Sequence, residues 1–304
     1  MNYQWYPGHM TKAKRMMQEN MKLIDLIIEL VDARIPFSSR NPDIDELGKN
    51  KSRIILLNKS DLSDPVWNKK WVQYFESKGA HVLEINSKTG AGVKSIQGLV
   101  QEACREKIER DRKRGIVNRP VRAMVVGIPN VGKSTFINSF AGKACAKTGN
   151  KPGVTKGKQW IRLNKNLELL DTPGILWPKF EDQIVGRNLA FIGSMNDEVI
   201  IMEELACDLL KVINEFYPNA VDQRYGQQDE KQDDRQDEQI RDAATQVGIN
   251  DPIRQLHDIA RSRRCYSKGK ELDIEKAASI LIDDFRSGKL GRMTFERAGE
   301  TKDE

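Results

Sequence analysis

The sequence predicts an α/β fold, a mainly parallel sheet covered by helices, followed by an α-helical domain. Three observations carry this. Continuous apolar runs alternate with helix-like stretches through the first half of the chain. The two segments richest in recognisable chemistry, "NKSD" (58–61) and "GIPNVGKS" (127–134), each follow such a run. After Pro178 the strand-like runs give way to helix-like segments. Runs that are apolar throughout belong to strands buried on both faces, the signature of a parallel sheet.

In chain order, "LIIELVDA" (26–33), "RIILLNKS" (53–60), "HVLEIN" (81–86) and "RAMVVG" (122–127) read as buried strands, separated by helical stretches such as 65–78 and 92–110. "KQWIRLN" (158–164) and "LELLDTPG" (167–174) form a hairpin-like pair of strands. Helices are expected at 182–195, 199–216, 252–264 and 274–285, and a nearly apolar-free, solvated or mobile insert at 225–239. The expected domains are therefore 1–178 and 179–304. The run 105–122 reads as a helix end and an exposed basic connector, and the N-terminal segment as short and ordered only against a partner.

Length and composition bound the rest. A chain of 304 residues suffices for one large or two medium domains. No apolar run approaches the roughly 20 residues of a membrane span, and the N-terminus lacks the apolar core of a signal peptide. Cys104, Cys145, Cys207 and Cys265 form no C-x-x-C pair, so neither a zinc site nor a disulfide framework is expected, and a reducing cytoplasm is. The net charge of +6 favours a polyanionic partner only weakly.

The motifs are more specific. "GIPNVGKS" fits G-x-x-x-x-G-K-[ST]: backbone N–H groups cradle phosphates, Lys133 reaches the β- and γ-phosphates, and Ser134 ligates magnesium. Asn130, Val131, Gly132 and Thr135 complete this loop and the start of its helix. In "DTPG" (171–174), Asp171 is placed to hold magnesium and Gly174 to offer its N–H to the γ-phosphate. Between them Thr155 is a candidate magnesium ligand in a switch segment. "NKSD" reads the base. Asp61 accepts from the guanine N1 and 2-amino donors that adenine lacks, while Asn58, Ser60 and the Lys59 stem complete the pocket. "NSKTG" (86–90) adds Asn86, Ser87 and Lys88. These motifs fit one guanine-nucleotide site in the cyclic order of a GTPase domain cut at a different loop, a change tolerated at surface loops.

The chain resembles the circularly permuted P-loop GTPases of the YlqF/RbgA family. "WYPGHMTKA" (5–13), "VDARIPFSSRNP" (31–42), "NKSD", "GIPNVGKST", "DTPGILWP" (171–178) and "GRNLAFIGS" (186–194) carry the resemblance. It implies magnesium-dependent GTP hydrolysis, a large ribosomal subunit precursor and its rRNA as partners, and a cytoplasmic, membrane-free location. A monomer is the expected state.

The glutamine that orients water after D-x-x-G in many GTPases is replaced by Ile175. One reading is a nucleotide switch without useful hydrolysis; the other is a hydrolase completed by another group or a partner. His9 is the candidate catalytic substitute, with a structural or RNA-contacting histidine as its alternative. Asn130 is a candidate for holding a monovalent activator such as K+, or simply packs the loop. Basic segments at 142–158 (Lys143, Lys147, Lys151, Lys156, Lys158) and 261–270 (Arg261, Arg263, Arg264, Lys268, Lys270) are candidate RNA contacts. The rival readings are a GTPase acting on another RNA and a non-hydrolysing GTP-dependent scaffold.

Overall fold

The computed structural model describes residues 8–116, 119–146, 159–176, 182–226 and 251–300. Thr155, Lys147, Lys151, Lys156, Lys158, most of the charged insert and the side chain of His9 lie outside the described residues. The chain divides into two compact units. One comprises residues 2–196 and 296–304, the other 197–295. The division falls at 196/197, beyond the expected boundary near 178, because the helix Gln183–Phe191 belongs to the first unit.

The first unit is built on a six-stranded sheet of β1 (Leu26–Asp32), β2 (Ser52–Asn58), β3 (His81–Glu84), β4 (Val121–Val126), β5 (Gln159–Asn164) and β6 (Leu167–Asp171), in the order β3-β2-β1-β4-β6-β5. All neighbours are parallel except β5 and β6, which pair antiparallel as the hairpin reading expects. The central strands are buried because the sequence leaves no polar face. Leu26, Ile28, Leu30 and Val31 of β1 are inaccessible to solvent. Two buried carboxylates interrupt the strand, Asp32 at its end and Glu29, which pairs with Arg53 and Arg40.

β1 and β4 lie side by side, although the second follows the first by almost a hundred residues. The order reverses between them, and ligands of such sheets bind at the carboxyl ends of strands at this reversal. Around the sheet lie α1 (His9–Met21), α2 (Pro42–Leu47), α3 (Pro65–Ser77), α4 (Ile96–Ala103), α5 (Arg105–Lys113), α6 (Lys133–Ala141) and α7 (Gln183–Phe191). Caps set several starts: the carboxylates of Asp64 and Asp182 accept from the N–H of Val66 and Ile184, and Pro65 follows its cap at the first helical position.

Two elements depart from the sequence reading. The N-terminal segment forms a full helix from residue 9 within this chain. Met10, Ala13, Met17 and Met21 bury one stripe of it, so its ordering needs no partner. The basic run 105–122 is partly neutralised: Lys107 bridges Asp25 and Asp111 at 3.3 and 3.1 Å, and Arg122 pairs with Glu168 at 3.2 Å.

The second unit holds α8 (Met202–Phe216), α9 (Ala220–Tyr225), α10 (Pro252–Ser262) and α11 (Ile274–Arg286). Leu205, Leu209 and Ile213 of α8, Leu256 and Ile259 of α10, and Leu281, Ile282 and Phe285 of α11 form its core. Asp284 is buried there, bonded by Arg224 at 2.9 Å, Tyr225 at 3.2 Å and Lys289 at 3.1 Å. No described helix is long and apolar enough to cross a membrane.

Candidate nucleotide site

Five loops emerge at the carboxyl ends of β1, β2, β3, β4 and β6, and side chains stitch them together. The loop after β4 is shaped by its glycines. Gly127 (φ 149°) and Gly132 (φ 103°) take conformations that side chains rarely adopt. A Cβ on Gly127 would lie 2.6 Å from the Leu30 carbonyl oxygen, and one on Gly132 would lie 2.5 Å from Asn58 Nδ2. Among the described residues no side chain caps α6, which suits its first-turn N–H groups to an anion.

Lys133, at the first position of α6, is buried and donates through Nζ to the carbonyls of Gly127 (3.0 Å) and Ile128 (2.7 Å). Burial pulls its pKa down to about 8 against the opposing charge of Asp171. Asp171 ends β6, and burial pushes its carboxyl up to about 6, opposed by Lys133 and the Thr172 N–H. Among the described residues, Asp171 Oδ1 is buried without a hydrogen-bond partner. An orphaned carboxylate oxygen beside the first turn of α6, where Ser134 sits half-buried, fits a hard cation that takes oxygen ligands. Gly174 closes on the same loop. A Cβ there would meet Lys133 Nζ and the Cα and N of Pro129, each at 2.8 Å. The residue that follows, Ile175, is buried, so its side chain belongs to the core.

Asn58 is the central stitch. Its Nδ2 donates to the Val131 carbonyl at 2.7 Å, and its Oδ1 accepts from the Ser87 N–H at 3.0 Å. One side chain thus joins "NKSD", the phosphate loop and "NSKTG". Lys59 (φ 59°) donates through Nζ to the Asn130 carbonyl at 3.0 Å and to Asp32 Oδ2 at 2.8 Å. Ser60 Oγ donates to the Ile85 carbonyl at 3.0 Å. Asn86 Oδ1 accepts from the N–H groups of Lys88 (2.9 Å) and Thr89 (3.0 Å), folding that loop. Asp61 and Lys88 are exposed, and Thr135 is half-buried. Among the described residues, Ser87 Oγ is buried without a hydrogen-bond partner.

Asn130 Nδ2 donates to the Gly193 carbonyl at 2.6 Å. This bond aims the amide at the segment after α7, as the loop-packing alternative expects, so a role toward a monovalent cation would fall to its Oδ1. His9 opens α1. Its neighbour Met10 accepts through Sδ from the Leu176 N–H at 3.4 Å, which sets the start of α1 beside the chain leaving "DTPG".

Three further groups brace these loops. Asp32 and Arg34 are both buried and form a two-pronged pair, Nε–Oδ1 at 2.9 Å and Nη2–Oδ2 at 2.8 Å. Burial alone would raise the Asp32 pKa, but Arg34 and Lys59 outweigh it and hold the carboxyl well below the usual range. Ser194 Oγ donates to the Pro129 carbonyl at 2.8 Å. Glu296, far off in sequence, accepts from the N–H of Phe37 at 2.6 Å and of Ser38 at 3.1 Å. "VDARIP" and "GRNLAFIGS" carry the first two groups in plain sight; nothing in the sequence ties Glu296 to either.

In the second unit, residues 263–272 form a small hairpin between α10 and α11. Ser267 donates to the Glu271 carbonyl at 2.9 Å, and Tyr266 bridges to Leu272. Arg264 (φ 52°) and Lys270 (φ 65°) take left-handed conformations. Arg264, Tyr266, Lys268 and Lys270 are exposed. The basic patch expected at 261–270 is not uniform. Arg261 pairs with Asp258 at 3.1 Å, while Arg263 lies 3.8 Å from Asp284 and over the Tyr225 ring.

A mainly parallel sheet carrying this phosphate loop at its strand reversal defines a P-loop GTPase fold, with "NKSD" entering before the loop rather than after it. A family model described as a 50S ribosome-binding GTPase matches residues 122–251, beginning just before that loop. The ribosome biogenesis GTPase A of Bacillus cereus is 44% identical over 98% of this chain and 94% of its own length. Among solved structures, GNP-bound YlqF from T. maritima superposes with a TM-score of 0.64 at 27% identity, covering 95% of this chain and all of that one. The GDP-bound form of the same protein gives 0.62 at 26% identity, over 92% and 98%. The chain belongs to the ribosome biogenesis GTPase A family.

Proposed function

We propose that this chain binds GTP and hydrolyses it with magnesium during assembly of the large ribosomal subunit, which it engages through rRNA and leaves on hydrolysis. The observation that carries the reading is the convergence on Asn58. Its amide joins the base-reading corner, the phosphate loop and the "NSKTG" loop, so the motifs separated in sequence describe one pocket. Relatives named for ribosome biogenesis, and a similar chain solved with GNP and with GDP, support the substrate and the cellular task.

In this reading Asp61 accepts from guanine, Asn58 and Lys59 hold the corner to the phosphate loop, and Ser87 and Lys88 close the far side of the base. Lys133 swings from the loop carbonyls to the β- and γ-phosphates. Ser134 and Asp171 would hold magnesium, joined by Thr155 when the γ-phosphate is present, and the ion would supply positive charge at the phosphates. Gly174 offers its N–H to the γ-phosphate. Ile175 shields the site and positions no water, so His9 is assigned that work, with a monovalent cation at Asn130 as the competing supply of charge. Hydrolysis is slow alone and faster on the subunit.

Residues 197–295 are assigned as the RNA-binding domain, with the hairpin of Arg264, Tyr266, Lys268 and Lys270 as its contact. Cations there meet phosphates, and an exposed ring offers a stacking face to an unpaired base. The protein acts in the cytoplasm as a monomer. The test is multiple-turnover phosphate release with and without large ribosomal subunits. Release that is slow alone and rises with subunits supports the reading. Stable GTP binding with no turnover in either case leaves the scaffold reading in its place, and stimulation by another RNA instead of subunits redirects the partner.

A further inference from the structure

The helical unit joins the sheet unit at two chain crossings, 196/197 and 295/296. Each is anchored in the sheet unit by its own hydrogen bonds, the first to the phosphate loop and the second to the loop after β1 and to α7. At the first crossing, just before Asn196, Ser194 Oγ bonds the Pro129 carbonyl and the Gly193 carbonyl takes Asn130 Nδ2. At the second, Glu296 is buried and bonded on two sides. It accepts from Phe37 N, Ser38 N and Ser38 Oγ on the loop after β1, and from Asn188 Nδ2 of α7 at 3.1 Å. Asn188 also donates to Ser38 Oγ at 3.2 Å, and the Glu296 carbonyl accepts from Trp71 Nε1 at 3.0 Å.

The loop after β1 is itself wired to the other nucleotide motifs. Asp32, whose N–H donates to Ser39 Oγ at 2.9 Å, holds Lys59 of "NKSD". Asn41 Nδ2 reaches the carbonyl of Ile175, directly after "DTPG", at 3.4 Å. Phosphate loop, base corner and switch therefore each end on the 32–41 loop or on the segment closing α7. The Glu296 side chain bonds the first of these directly and, through Asn188, the helix α7 that leads into the second.

We propose that Glu296 is a positioning residue that couples the nucleotide loops to the orientation of residues 197–295, by fastening the exit of that unit to the loop after β1 and to α7. This deepens the release-on-hydrolysis reading and rests on it for its biological use. A carboxylate suits the place because the donors around it need an acceptor-only group. A glutamine would set an N–H₂ among N–H donors and leave some of them unbonded in a buried site. Spatial adjacency alone does not establish coupling, so the test must read the second unit.

The test uses the full chain with spin labels on one exposed site in each unit, at Glu76→Cys and Glu275→Cys, in a background without the native cysteines. Inter-label distances are recorded by double electron–electron resonance with GDP and with a non-hydrolysable GTP analogue. Nucleotide affinity and thermal stability are measured on the same samples. The expected result is two distance distributions for the parent chain, which merge into one in Glu296→Gln while nucleotide affinity stays within about threefold. If Glu296→Gln does not fold, Asn188→Ala cuts only the α7 arm and should likewise merge them. A parent whose distances ignore the nucleotide overturns the proposal, as does a folded variant that keeps both distributions. Failure to bind GTP at all would instead overturn the proposed function, and the affinity measurement separates the two.

Discussion

Replacing Asp32 with asparagine tests how the guanine corner is held. The side chain is inaccessible to solvent and accepts from Arg34 Nε, Arg34 Nη2 and Lys59 Nζ, all between 2.8 and 2.9 Å. Asparagine keeps the shape, removes the charge and turns an N–H₂ toward one of two cations. Arg34 is itself buried, so its guanidinium cannot recover water. Removing one partner of a buried pair costs about 3–5 kcal/mol. For a unit of this size, that is a fall in Tm of roughly 6–20 °C, at about 2–4 °C per kcal/mol.

The pH dependence supplies a second signature. The folded pKa of Asp32 is depressed, so its stabilisation is complete above the unfolded value of about 4 and is lost as pH falls through the folded value. The gap in Tm between parent and Asp32→Asn should therefore be constant from neutral pH down to about 5 and close below about 4. Lys59 keeps its bond to the Asn130 carbonyl, so GTP affinity should fall less than stability does. Thermal unfolding across pH and titration with a fluorescent GTP analogue measure both. A Tm within about 2 °C of the parent at neutral pH would refute the reasoning, because it would mean that Arg34 is satisfied without Asp32.

Asp61→Asn should shift preference from guanine toward xanthine nucleotides, read as the ratio of the two affinities; an unchanged ratio removes "NKSD" from the site. In Gly174→Ala, a methyl group 2.8 Å from Pro129 and Lys133 Nζ should separate "DTPG" from the phosphate loop and slow hydrolysis with the fold intact, and unaltered single-turnover rates would count against the assignment. Changing Arg264, Lys268 and Lys270 to glutamate should weaken RNA binding and lower the salt slope by about 2–3, whereas an untouched slope marks the hairpin as solvated surface. His9→Ala should depress subunit-stimulated turnover by roughly 100- to 10,000-fold with GTP affinity nearly unchanged; persistent turnover with normal subunit binding eliminates His9.

What was legible in the sequence followed from local rules. The strands announced themselves because burial on both faces leaves no polar alternation: β1, β2 and β4 fall within a residue or two of the expected runs. The phosphate loop was legible because its glycines and lysine sit at fixed spacing. α1 was not, since its buried stripe is written mainly in methionine and alanine among charges, a weak apolar signal. The compact units divide beyond the expected boundary near 178, because bonds of α7 and of the segment after it, Asn188 Nδ2 to Glu296 and Asn130 Nδ2 to the Gly193 carbonyl, lie within the sheet unit, and helical periodicity does not report them. The bonds of Glu296 to Phe37 and Ser38 span most of the chain and that to Asn188 spans 108 residues, so no short window of sequence contains both ends.

Those bonds also change what kind of appendage the helical unit is. A domain that simply follows a GTPase is tied to it by one linker, and a switch can move it only by pulling on that linker. Here residues 197–295 leave the sheet unit just after Ser194 and return at Glu296, so they form an insertion with two roots. A single root lets a unit swing on its linker; two roots restrict it to motions that both can follow. The nucleotide loops reach both, through Pro129 and Asn130 at one and through the loop after β1 at the other. A shift of the phosphate loop relative to "DTPG" would then act as a torque between two fixed points rather than as slack in a tether. In the function proposed above, that arrangement would let one hydrolytic event alter the grip on RNA.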